Sequence, residues 1–114
     1  MKPGDSDAAN LHDMLEVALE ARELVAELQV KAFLLDRVRV RALERMLELI
    51  GEAARRIAPK RRVQHPEIRW RRLIGLRNIL AREYGRIVPR LLYQTAREDV
   101  PSLIAALERI LPRP

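Results

Sequence analysis

The chain is 114 residues long, carries a formal charge of +6 and is 48% hydrophobic but only 4% aromatic, which suits a single domain around an aliphatic core. It has no Cys and only two widely separated His residues, His12 and His65, which excludes a disulfide framework, a thiolate metal site and a His pair at metal-ligand spacing. No stretch approaches the roughly 18–20 uncharged residues of a membrane span, and Met1–Asp5 lacks the apolar run of a signal peptide, so a cytoplasmic protein without membrane, metal or cofactor is expected.

Along the chain, apolar residues recur at helical spacing and no segment alternates with period two. Residues 1–6 are expected to form a flexible N-terminus to one domain spanning 1–114. Leu11, Met14, Leu15, Ala18, Ala21, Val25 and Leu28 then follow the i, i+3, i+4, i+7 rule of a core-facing helix, with Asp5, Ser6 or Asp7 available as its N-cap. A second helix over roughly 32–58 is apolar on two sides. Ala42, Met46, Leu49, Ile50, Ala53 and Ile57 form one, and Leu43, Leu47 and Ala54 the other. Such a wide arc predicts a central helix with more than one neighbour. Gly51 inside it costs about 1 kcal/mol relative to Ala, which close helix packing would offset, and Pro59 ends the run.

Residues 59–69 read as a basic connector, extended or turned at His65-Pro66 because the residue before Pro avoids the α region. Between Arg55 and Arg72 stand eight basic residues and one acid, Glu67; that segment carries +7 and the rest of the chain −1. The local field attracts phosphates, and an acidic protein equally well. Nineteen of the 22 basic residues are Arg, a bias that a GC-rich genome also produces, so charge alone does not choose between partners. A third helix is predicted from near Trp70 to near Gly85, followed by a short one over 89–97 and a last one from Asp99, as N-cap, to Leu111. The fold class expected is all-α, an up-and-down bundle of four to five helices.

On a helical wheel Trp70, Leu73, Ile74, Arg77, Leu80, Ala81 and Tyr84 share one arc, with Arg77 near its centre. A charge inside an apolar stripe requires a partner or a solvent-filled cleft. Glu52 or Glu83 would supply an ion pair, and a phosphate at a cleft floor is the functional alternative. Residue 82 lies about 140° round the helix from Arg77, so the two side chains are not expected to meet within one straight helix. His12, His65, Asn78 and Tyr84 each have an ordinary structural reading beside a functional one.

The octapeptide 77–84, Arg-Asn-Ile-Leu-Ala-Arg-Glu-Tyr, resembles the motif of the HepT-like family of HEPN domains: an Arg, a His five residues later and a Tyr two beyond that. The resemblance extends through Leu11–Glu16, Asp36, Gly51-Glu52-Ala53, His65–Trp70, Ile74–Asn78 and Glu83-Tyr84. It implies a homodimeric helical bundle whose active members are metal-independent RNA endonucleases, the toxins of type VII toxin–antitoxin pairs. Their RNA targets are tRNA or mRNA. The partner implied is an MntA-like minimal nucleotidyltransferase antitoxin that adds AMP to the motif Tyr, matched here by Tyr84.

By the same resemblance Arg77 and Arg82 stand at the catalytic positions with Asn78 supporting them, and a two-fold brings two such sites into one cleft. Glu52, which has an ordinary i, i+4 partner in Arg56, is favoured as the carboxylate that orients Arg77. Two departures stand out: Arg69 replaces the Pro that usually precedes the Trp, and Arg82 replaces the His. An Arg keeps its proton at physiological pH, whereas a His exchanges one. The expectation is therefore a catalytically impaired toxin; the alternative is a non-catalytic partner and AMPylation substrate of the nucleotidyltransferase.

Overall fold

The computed structural model describes residues 3–83 and 88–112, which form helices joined by short turns, with no strand among them. Helix α1 (Pro3–Val25) already includes the positions expected to cap it. Asp7 instead lies buried and accepts from the Ala58 N–H at 3.2 Å, tying the start of α1 to the junction after α3. The long second helix of the sequence reading is divided into α2 (Val30–Leu35) and α3 (Arg37–Arg56). Asp36 makes the break: it leaves helical geometry at φ −101° and ψ 90° and caps α3 by accepting from the Arg39 N–H at 3.1 Å. Its carboxyl is held below the ordinary carboxylate range by that backbone bond and by the Arg39 side chain.

The connector also differs from expectation, since Pro59–Val63 winds into a short α4 with Pro59 in its first turn. Trp70, the first residue of α5 (Trp70–Arg82), is buried and its indole N–H is shared by the Arg62 and His65 carbonyls, each at 3.0 Å. One donor thereby holds the turn 64–69 against the start of α5.

The last two predicted helices form one continuous rod: α6 (Pro89–Gln94), a π turn over Thr95–Asp99, and α7 (Val100–Ile110). Pro101 has no N–H, and its ring would strike the Arg97 carbonyl of an uninterrupted α-helix. The π turn relieves this, with the Val100 N–H donating to the Thr95 carbonyl. Asp99 consequently caps nothing and pairs with Arg72 of α5 at 3.1 Å.

The core is aliphatic. Leu11, Met14, Leu43, Ile50, Leu80, Leu92, Ile104 and Leu107 are fully buried between α1, α3 and the α6–α7 rod, with Phe33 closing one end. Tyr93 and Arg97 fasten the α1–α2 turn: Tyr93 donates to the Leu28 carbonyl at 2.6 Å, and Arg97 donates to the Ala26 carbonyl at 3.0 Å. Helix α5 lies on the outside of this bundle, against α3. No helix among the described residues is long and apolar enough to cross a membrane.

Candidate functional site

Gly51 determines how closely α5 approaches α3. A Cβ there would collide with the Arg77 Cβ and would come within 2.6 Å of the Leu73 carbonyl oxygen, so only a residue without one fits the crossing. The next residue, Glu52, is then level with the Arg77 head group. Its Oε2 accepts from Arg77 Nε at 2.8 Å and forms an ion pair with Arg77 Nη2 at the same distance, and Oε1 accepts from Arg55 at 3.2 Å and Arg56 at 3.4 Å. Of the two candidates for Arg77, Glu52 is the partner and Glu83 stays exposed at the end of α5.

The third Arg77 contact runs from Nη1 to the Asn78 side-chain oxygen at 3.1 Å. A guanidinium has five N–H donors, so donors remain on Nη1 and Nη2, and the side chain is 24% exposed. The arrangement suits recognition of an anion: Glu52 and Asn78 fix the guanidinium and leave its remaining N–H groups to a ligand. Glu52 is one negative charge among three guanidiniums and its carboxyl is held below its ordinary value of 4.5, by its bond to Arg55 first and by Arg77 next, with burial opposing. The cluster therefore keeps a net positive charge at neutral pH.

Arg82 is exposed and donates from Nε to the Asn78 carbonyl at 3.3 Å. The wheel separated residues 77 and 82; the structure joins them through Asn78, whose side chain takes one guanidinium and whose backbone takes the other. Tyr84 and Gly85 lie outside the described residues. His12 is exposed on α1. His65 sits in the turn before α5, its Nδ1 3.8 Å from Glu67 and its Nε2 buried without a hydrogen-bond partner. Among the described residues no three acidic, His or Cys side chains gather to hold a metal.

Ala81, placed on the apolar arc by the wheel, is exposed, as is Ile79 on the outer side of α5. That outer side is one wall of a groove of about 670 Å³, with Leu73, Leu76 and Ile79 facing Leu91 and Leu103, and the Arg72–Asp99 pair crossing it. Sequence reasoning did not anticipate this groove, because its far wall belongs to the α6–α7 rod and depends on tertiary packing.

The family model for HepT-like ribonucleases matches residues 14–110, which include α3, α5 and the whole Glu52–Arg77–Asn78–Arg82 cluster. A Thermococcus cleftensis protein named "Probable ribonuclease HepT" is 37% identical over 102 residues, covering 86% of this chain and 93% of its own length. A Methanocaldococcus jannaschii protein, provisionally named an RNase, is 36% identical over 100 residues, covering 88% of this chain and 92% of its own. A third, provisionally named in the same way, comes from Caldanaerobacter subterraneus subsp. tengcongensis and is 32% identical over 89 residues, covering 78% and 80%. No solved structure matches the chain. The all-α bundle, the motif at the end of α5 and these alignments agree, and the chain belongs to the HepT-like ribonuclease family.

Proposed function

We propose that the chain is the toxin component of a type VII toxin–antitoxin pair, built as a metal-independent RNA endonuclease and impaired by Arg82. The observation that carries this reading is the Arg77 guanidinium, held by Glu52 and Asn78 with N–H groups left over for a ligand. In the intact reaction a ribose 2′-hydroxyl attacks the adjacent phosphate, a 2′,3′-cyclic phosphate forms, and the 5′-oxygen leaves with a proton. Negative charge builds on the phosphate oxygens as the new P–O bond forms. The free N–H groups of Arg77 are oriented in advance to stabilise it.

Two proton movements remain, off the 2′-hydroxyl and onto the leaving oxygen, and Arg82 can do neither at physiological pH. General acid–base catalysis contributes typically about 10²–10⁴-fold. The chain therefore retains phosphate binding and loses most of its turnover. Arg82 at the His position favours a second reading, in which the chain is a non-catalytic partner of a minimal nucleotidyltransferase that places AMP on Tyr84.

One experiment with two arms decides between them. Purified chain and its Arg82→His variant are incubated with RNA, and each is separately incubated with ATP and the nucleotidyltransferase. Cleavage by Arg82→His at least about 100-fold faster than by the parent is expected, together with added AMP mass on Tyr84. Absence of cleavage by both proteins across salt and pH overturns the ribonuclease reading. Added mass at another residue removes Tyr84 as the modified site.

A further inference from the structure

A second groove, of about 820 Å³, runs between α4 and the first half of α5; Arg62, Arg69, Arg71 and Arg72 line it together with Gly75 and Asn78, and no carboxylate does. Of the four guanidiniums only Arg72 is neutralised, by Asp99. Arg62 is held in place by its Nε bond to the Ile57 carbonyl at 3.0 Å, which leaves its charge uncompensated. Among the described residues Arg62, Arg69 and Arg71 pair with no acid. The floor between them is apolar, formed by Ile68, Trp70 and Ile74.

Gly75 adds a separate observation. A glycine in the middle of a helix weakens it, and at Gly51 the close crossing of α5 explains the choice. At Gly75 an added Cβ would meet nothing within 4 Å, so no contact within the protein requires the missing side chain. A backbone bared towards an open groove is what a closely approaching ligand uses. On the α5 wheel Arg71, Gly75, Asn78 and Arg82 also fall on one strip, some 16 Å long at 1.5 Å per residue. The groove thus leads along α5 to Asn78, the residue that touches both Arg77 and Arg82.

We propose that this groove binds the single-stranded RNA segment flanking the scissile phosphate, with Arg62, Arg69 and Arg71 on its phosphates and a sugar or base against Gly75. Unneutralised charge over an apolar floor fits a strand that presents phosphates on one side and flat bases on the other. The continuity with Asn78 favours RNA over an acidic protein, because the same strand then reaches Arg77. The proposal rests on the ribonuclease reading above and names where its substrate lies.

The test measures binding, so it does not require turnover. Fluorescence anisotropy follows a labelled single-stranded RNA of about ten nucleotides on the full chain at several salt concentrations. Arg69→Ala/Arg71→Ala should weaken binding about tenfold or more and flatten the salt dependence by about 1.4, at about 0.7 per lost phosphate contact on a single strand. Gly75→Leu, which fills the open space, should weaken binding to a similar degree without lowering the melting temperature. Unchanged affinity and salt slope in both variants overturn the proposal and leave the groove to an acidic protein. The two readings fail separately. If Arg82→His cleaves no RNA while the groove variants still lose affinity, the ribonuclease reading falls and the RNA groove stands. If Arg82→His cleaves and the groove variants bind and cleave as before, the groove falls.

Discussion

Arg77 and Arg82 carry the same charge five positions apart and should respond differently to loss of their side chains. Arg77→Ala removes the hydrogen bond and the ion pair to Glu52 Oε2 and the bond to Asn78. Loss of a fully buried ion-pair partner costs about 3–5 kcal/mol, but Arg77 is 24% exposed and Glu52 keeps Arg55 and Arg56. A loss of about 1.5–2 kcal/mol is therefore expected, at the low end for hydrogen bonds to charged groups. Arg82 is exposed with one long backbone contact, so Arg82→Ala should stay within about 0.5 kcal/mol. Paired thermal melts check both, and an Arg82→Ala chain that unfolds would contradict the placement of Arg82. Glu52 also sets a pH response. Its folded carboxyl titrates below the ordinary 4.5, so its stabilising contribution is present above that pH and lost as pH falls through the lower folded value. Glu52→Gln should remove that part of the acid limb in urea melts run from neutral pH down to about 3, and an identical limb in the two proteins would show that Glu52 is not the group. The Arg77–Glu52 pair was legible in the sequence because a charge in an apolar stripe demands a carboxylate, and Glu52 follows the glycine that allows contact. The link through Asn78 was not, since a bond to the next side chain depends on rotamers that spacing does not encode.

At the level of helices, the two described glycines of the α3–α5 pair predict opposite outcomes for the same substitution. Gly75→Ala adds a methyl group into open space in a helix interior and should stabilise the protein by about 0.5–1 kcal/mol. Gly51→Ala gains the same helix propensity but drives its Cβ into Arg77 and the Leu73 carbonyl, both backbone-anchored, so α5 must shift away from α3. Overpacking of this kind costs about 1–3 kcal/mol, and the shift also displaces Arg77 from Glu52. Chemical denaturation of both variants reads the sign directly; stabilisation by Gly51→Ala would mean that the crossing is looser than described. Helix identity was largely legible because four apolar stripes keep a 3.6-residue period. Helix ends were not. Asp36 sits within a continuous apolar pattern with no Gly or Pro beside it, so its capping break between α2 and α3 did not show. Asp99 with Pro101 looked like a helix start, yet the buried face of Thr95, Ala96, Val100 and Leu103 continues through it, and the rod keeps going by way of a π turn.

For the whole molecule, the remaining question is what covers the outer face of α5. That helix rests on α3, while Ile79 and Leu91 stay 41% and 44% exposed at the lip of the groove of about 670 Å³. A chain this short buries only about two thirds of its unfolded surface, so further apolar burial between copies stabilises it. The groove carries Arg69 and Arg72 along α5 and Glu98 and Asp99 along the opposing rod. Arg72 and Asp99 stay paired within each chain, and Ile79 and Leu91 of one copy can cover those of the other, as an isologous two-fold contact requires. Ile79 is three residues from Arg82, one turn along α5, so a two-fold axis near Ile79 would bring the Arg82 side chains of both copies together and join the two Arg77 clusters in one positive cleft. The Ile79 groove shares Ile68, Arg69, Arg72 and Gly75 with the α4–α5 groove, whose Arg62, Arg71 and Asn78 lie off the face centred on Ile79. We therefore expect a homodimer, seen by light scattering as twice the 13.2 kDa chain at micromolar concentration. Ile79→Glu, which buries an unpaired charge at the centre of the contact, should return a folded monomer. A monomeric parent chain, or an Ile79→Glu variant that remains dimeric, would rule out this face.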